Sequence, residues 1–170
     1  MTPLVRNHPK TQQRETHVAE KNTGTFSAIG KGDTPMFGAT ALLVAGYSVD
    51  EQKALRDLLV AHDLEHLPLV FIDAALQKRK LSDLAAHPDL SAEGRPSELR
   101  RAIVLSGLRE TELHRLMKAY RLSGLPRQLW ASMTPVSADW PMRTLLDELG
   151  KEKEDLRKAV LAQRAKNDSI

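Results

Sequence analysis

The chain has 170 residues, enough for one ordinary domain with some tail. It contains no cysteine, which removes disulfides, thiol nucleophiles and thiolate metal sites, and no apolar run nears the roughly 18 residues needed to span a bilayer. Its formal charge of +3 is uneven: residues 1–40 hold five basic against three acidic residues, 41–150 hold 14 against 15, and 151–170 hold six against four. A nucleic-acid-binding domain gathers its basic residues on a face of the domain itself, whereas here the excess sits at the two ends.

Residues 1–38 mix Thr, Asn, Gln, Lys, Gly and Pro without apolar periodicity, a composition that cannot offset the entropy of ordering, so a disordered tail is expected. The opening stretch also lacks the apolar segment of a secretory signal, which makes the cytoplasm the expected compartment. From Ala39 the pattern changes. The runs TALLVAG, PLVFID, RAIVLSG and RQLWASM are short, continuous and apolar, as in strands covered on both faces, which is the habit of parallel sheets. Between them lie helical patterns. Ser48 and Glu51 have capping-box spacing ahead of Leu55, Leu58 and Leu59, predicting a helix from Val49 to His62. A short helix carries Leu81 and Leu84. A third carries Leu113, Leu116, Met117 and Tyr120 and stops at Gly124. A fourth runs from about Trp140 to Leu149, and the charged stretch 151–170 continues it as a helical tail with a thin apolar seam through Leu149, Leu156 and Val160.

A shift of 61 residues places Val44 on Leu105, Gly46 on Gly107, Leu55 on Leu116 and Leu84 on Leu145. The constant offset suggests an internal duplication, although two Leu-rich units of this kind align somewhere in any case. The expected fold is therefore an α/β domain over 39–150: a four-stranded, mostly parallel sheet built from two βαβα half-repeats, 39–86 and 100–150, joined by a linker at 87–99, with the sense in which the halves join, parallel or antiparallel, not readable from the pattern.

In a parallel sheet, ligands bind beyond the carboxyl ends of the strands. On that expectation Gly46, Ser48, Asp73, Gly107 and the Thr134–Trp140 stretch converge into one candidate ligand- or partner-binding site. The amides after Gly46 face the position an anion would take, but neither a GxGxxG nor a GxxxxGK[ST] motif is present, and a single glycine often serves only to turn the chain. Thr134, Ser137 and Asp139 stand just before a helix, where any of them can cap it, with Pro141 in its first turn and Trp140 folding back as a staple. Structure alone thus accounts for much of the cluster. His62 and His66 have a metal-ligand spacing, but the helix ends between them and no third ligand stands out, so no metal is expected. No nucleophile elbow or acid–base pair stands out either, and no cofactor is implied.

The residues Gly107, Ala131, Thr134, Pro135 and Trp140, with IVLSGL leading into a helix and DWPMRTLLDELG after the Thr-Pro pair, resemble an uncharacterised bacterial domain-of-unknown-function family of small α/β proteins. The resemblance covers Arg101 to about Glu154. It implies the fold and no activity. The expected role is a non-enzymatic binding or regulatory module for a protein partner or small ligand. The alternatives are a ribosome- or RNA-associated factor anchored by its basic termini, and an enzyme or binder acting on a phosphorylated small molecule at the strand ends.

Overall fold

The structure is a computed structural model that describes residues 34–168. The tail expected to be disordered over 1–38 lies outside the described residues as far as residue 33. Its last part, Thr34–Gly38, lies on the domain: Met36 N–H donates to Leu108 O at 2.8 Å and Gly107 N–H to Phe37 O at 3.1 Å. Four strands, β1 (Ala41–Ala45), β2 (Leu69–Ile72), β3 (Ala102–Ser106) and β4 (Leu129–Ser132), form one sheet in the order β2-β1-β3-β4. Four helices accompany them: α1 (Val49–Ala61), α2 (Leu81–Ala85), α3 (Glu110–Leu122) and α4 (Met142–Asn167).

Each apolar run predicted as a strand forms one, and every residue of β1, β2 and β3 is buried. Alternation then divides the side chains between two cores. Leu42, Val44, Phe71, Ile103 and Leu105 pack with Leu55 and Leu59 of α1 and Leu113 and Leu116 of α3. Ala41, Leu43, Ala45, Val70, Val104 and Ala131 pack on the other face with Leu81 and Leu84 of α2 and Met142, Leu145 and Leu149 of α4. The result is helix, sheet and helix in three layers. The α1 start is fixed by the capping box: Ser48 Oγ accepts from Glu51 N–H at 3.3 Å, and Glu51 Oε2 accepts from Ser48 N–H at 3.1 Å.

The strands are parallel within each half, as expected, and the join between the halves, whose sense the sequence leaves open, is antiparallel. β1 pairs with β2 and β3 with β4 in parallel, but the central β1–β3 pair is antiparallel, so the sheet is mixed. Fully buried strands read as unbroken apolar runs whichever way their neighbours point, so the pattern carries no sense of direction. In that central pair Leu43 faces Val104, 61 positions on, and the elements recur at the same interval: Ala41 and Ala102, Val49 and Glu110, Leu76 and Ser137, Leu81 and Met142 begin corresponding segments. Reciprocal bonds tie the halves, with Leu81 N–H donating to Trp140 O and Met142 N–H to Arg79 O, each at 3.0 Å. The two halves are therefore arranged about an approximate twofold axis through the middle of the sheet.

The outer edge of β2 is covered by the linker. Phe71 N–H donates to Ser91 O at 3.0 Å, Leu90 N–H to Leu69 O at 2.7 Å, and Asp89 Oδ1 accepts from Leu69 N–H at 2.8 Å. Beside β4 no further strand lies among the described residues. Among those residues no helix is long and apolar enough to cross a membrane.

Candidate functional site

Because β1 and β3 run in opposite senses, the carboxyl ends of β1 and β2 lie at one end of the sheet and those of β3 and β4 at the other. The structure therefore divides the expected site. Gly46, Ser48 and Asp73 stand at the first end; Gly107, Thr134, Ser137, Asp139 and Trp140 stand at the second.

The first end is closed by residues 93–101. Gly46 takes a left-handed turn (φ 79°), and its own amide gives its proton to Ser97 Oγ at 3.1 Å, while of the amides after it, the candidate anion donors, Ser48 N–H is taken by Glu51 Oε2 and Glu51 N–H by Ser48 Oγ. A Cβ here would meet Leu99 O at 2.5 Å. Buried Gln52 pins the closing segment, donating from Nε2 to Arg95 O at 3.1 Å and accepting from Gly94 N–H at 2.9 Å. Asp73 Oδ1 accepts from Leu76 and Ala75 N–H at 2.8 and 3.0 Å, and Oδ2 accepts from Arg95 at 3.3 Å. These bonds, led by the Leu76 amide, hold its carboxyl below the usual range. Ser48 is spent on the helix cap. Arg101 Nη2 lies 3.0 Å from both Glu51 oxygens, with its guanidinium 5.3 Å from the centre of the Tyr47 ring.

The second end is closed likewise by residues 36–40. Gly107 (φ 65°) is bonded to Phe37 as described, Ser106 Oγ donates to Ala39 O at 2.5 Å, and Thr40 Oγ1 donates to Gly107 O at 3.3 Å. Thr134 and Ser137 satisfy one another: Thr134 N–H donates to Ser137 Oγ at 2.9 Å, and Ser137 N–H to Thr134 Oγ1 at 3.1 Å. Their turn leads into the one-turn 3₁₀ helix Ser137–Asp139, and neither they nor Asp139 caps α4, which starts from Pro141 without a side-chain cap. The chain makes this extra turn first, which places the capping residues too early for α4. Trp140 is half-buried against the α2/α4 core, while Asp139 is exposed.

A concave surface does occur, away from both strand ends. Met117, Tyr120, Arg121, Leu125, Arg127, Gln128 and Trp130 line an open groove of about 360 Å³ between α3 and β4. Helical spacing brings Met117, Tyr120 and Arg121 to one side of α3, and strand alternation turns Trp130 toward them and Leu129 away. Tyr120 and Trp130 meet edge to face, with ring centres 5.4 Å apart. The Tyr120 hydroxyl donates to Pro126 O at 2.6 Å, so the Tyr47 hydroxyl, 2.6 Å away, donates to it. Burial raises the pKa of both phenols, which stay neutral and lock the base of the groove. Arg121 and Arg127 are exposed on its rim.

Residues 101–156 match the family model DUF3783, a domain of unknown function. The DUF3783 segment carries β3, α3, β4 and the first part of α4, and hence the whole groove and the Thr134–Trp140 turn. No curated protein and no solved structure matches the chain. Of the two tryptophans, the sequence draws attention to Trp140; its sign for the groove is the alternation that opposes Trp130 to Leu129, together with Tyr120 on the α3 stripe. His66 Nε2 lies 2.6 Å from Glu112 Oε1. Burial pushes the Glu112 pKa up, but the Arg109 amide and that ring outweigh it and hold the group lowered. Among the described residues no three metal-ligating side chains come together.

Proposed function

We propose that the protein is a non-enzymatic binding module that takes an acidic, partly aromatic segment of a protein partner into the groove at Trp130. The observation that carries the reading is the pairing of an aromatic floor, Tyr120 and Trp130, with two exposed arginines, Arg121 and Arg127, in the lining. Arginine on a groove edge receives carboxylates bidentately, and an aromatic floor supplies area at low entropic cost. The groove lining holds no Ser, Thr, Lys, His, Asp or Glu, and the Tyr120 hydroxyl is taken up by Pro126 O and the Tyr47 hydroxyl, which favours binding over catalysis. The strand-end alternative for a phosphorylated ligand is weakened, because the Ser48 and Glu51 amides after Gly46 are taken by the capping box and the Gly46 and Gly107 amides by Ser97 and Phe37. The common interval of 61 residues and the reciprocal bonds further support descent of the two halves from one duplicated unit.

Titration with an array of acidic peptides, each carrying one aromatic residue, tests the reading. Binding should alter the fluorescence of the Trp140→Phe variant, whose remaining indole is Trp130. It should weaken about tenfold in Arg121→Ala/Arg127→Ala, since two exposed charge pairs are each worth up to about 1 kcal/mol. Equal binding by that variant would refute it. Preference for RNA, with affinity falling steeply in salt, would replace it by the nucleic-acid reading.

A further inference from the structure

The apolar stripe that anchors α4 does not end at the domain boundary. Met142, Leu145 and Leu149 are buried in the core, and the same stripe continues to Leu156 and Val160, which are 68% and 51% exposed. Beyond Gly150 the helix runs on to Asn167 with every described side chain exposed, projecting about 25 Å from the domain. An isolated helix of this length is marginal in water.

Charge along the helix is segregated. Residues 147–155 hold five acids (Asp147, Glu148, Glu152, Glu154, Asp155) and two bases, whereas 156–168 hold four bases (Arg157, Lys158, Arg164, Lys166) and one acid. The helix dipole does not account for this, because its influence fades within the first and last turns and the acids begin more than a turn after Met142. A segment that is acidic along one half and basic along the other is complementary to itself turned end for end.

We infer that the projecting half of α4 is a self-association element, pairing antiparallel with the same segment of a second copy of this chain. Pairing about Lys158 sets Leu156 of each copy against Val160 of the other, covering the exposed stripe. It brings the acidic stretch of each beside the basic stretch of the other, with Glu152 level with Arg164. This is the isologous contact of a twofold dimer, in which one patch serves both subunits. It uses none of the residues that line the groove on α3 and β4 and stands independently of the binding proposal.

The experiment is sedimentation equilibrium of the full chain without ligand. A dimer is expected, with Leu156→Glu/Val160→Glu monomeric. Because those changes also weaken the helix, a charge exchange provides the second arm. Arg157→Glu/Arg164→Glu makes both halves of the segment net acidic, and Glu152→Lys/Glu154→Lys makes both net basic. Each variant alone should be monomeric, and an equimolar mixture should form the dimer. The absence of cysteine permits single spin labels: an antiparallel pair sets labels at Lys158→Cys level across the dimer, and offsets those at Lys151→Cys by about 20 Å along its axis, so the second distance is the longer. A wild-type monomer at every concentration, a dimer that survives Leu156→Glu/Val160→Glu, a mixture that fails to pair, or equal label distances at the two positions would each overturn the inference.

Discussion

Replacing Gly107 by Ala tests whether residues 36–40 are an integral seal on the domain. At φ 65° an L-residue costs about 1–2 kcal/mol, partly offset by about 0.4–1 kcal/mol from the smaller entropy of the unfolded chain. Gly124 (φ 77°), where an added Cβ would have nothing within 4 Å, isolates this backbone cost, and Gly124→Ala should lose about 1 kcal/mol or less. At Gly107 the new Cβ would also press on Gly38 O and sit 2.7 Å from Thr40 N, both main-chain atoms that can yield only if the segment moves. Moving it sacrifices the Gly107–Phe37, Met36–Leu108 and Thr40–Gly107 hydrogen bonds, each worth about 1 kcal/mol. The total for Gly107→Ala is about 3–4 kcal/mol. Urea unfolding reads the difference: with a slope of about 1.5–2 kcal/mol per molar, the midpoint should fall by about 2 M for Gly107→Ala and by about 0.5 M or less for Gly124→Ala. Gly46→Ala should behave like Gly107→Ala, since its Cβ meets Leu99 O at 2.5 Å and Arg101 N at 2.7 Å. Equal midpoints for Gly107→Ala and Gly124→Ala would refute the reasoning, because the seal would then yield without loss.

Tyr120→Phe should cost about 1–3 kcal/mol, since it strands the buried Tyr47 hydroxyl and Pro126 O together, whereas Tyr47→Phe should cost less because Tyr120 keeps its carbonyl acceptor; thermal unfolding of both variants checks the order. Asp73 and Glu112 have folded pKa values below their unfolded ones, so the stability they contribute is present above about pH 4.5 and is lost as pH falls through the folded values. The Asp73→Asn/Glu112→Gln variant should accordingly lose less stability than wild type between about pH 5 and about pH 3 in urea titrations, and an unchanged acid profile would count against these pairings.

The sequence made the elements legible and left their arrangement hidden. Runs such as ALLVA and AIVLS read as strands buried on both faces, and Ser48 with Glu51 marked the α1 start to the residue. The antiparallel joining of β1 to β3 left no mark, because its partners Leu42–Leu105 and Val44–Ile103 are as apolar as those of a parallel pair. That one reversal undid the single convergent site, since the expectation that Gly46 meets Gly107 rested on a common strand sense. Thr134 and Ser137 carry the right chemistry for capping, but it closes a 3₁₀ turn that Pro135 and the following residues interpose before α4. The groove was legible only in part: the faces of Tyr120 and Trp130 follow from periodicity, whereas the place of Arg127 in the lining depends on how the chain turns after Gly124.

The twofold arrangement has a consequence for how the chain holds itself together. The seam between β1 and β3, with the reciprocal bonds at Arg79–Leu81 and Trp140–Met142, has the form of a contact between two molecules that happen to share a tether, the linker at 87–99. Within one chain that tether sets the effective concentration of one half for the other, in the millimolar range for short flexible connections. Shortening it would strip the β2 edge and the Gly46 turn of the bonds it gives them, and would also favour each half seeking its counterpart in a neighbouring chain, exchanging a closed monomer for an intertwined pair.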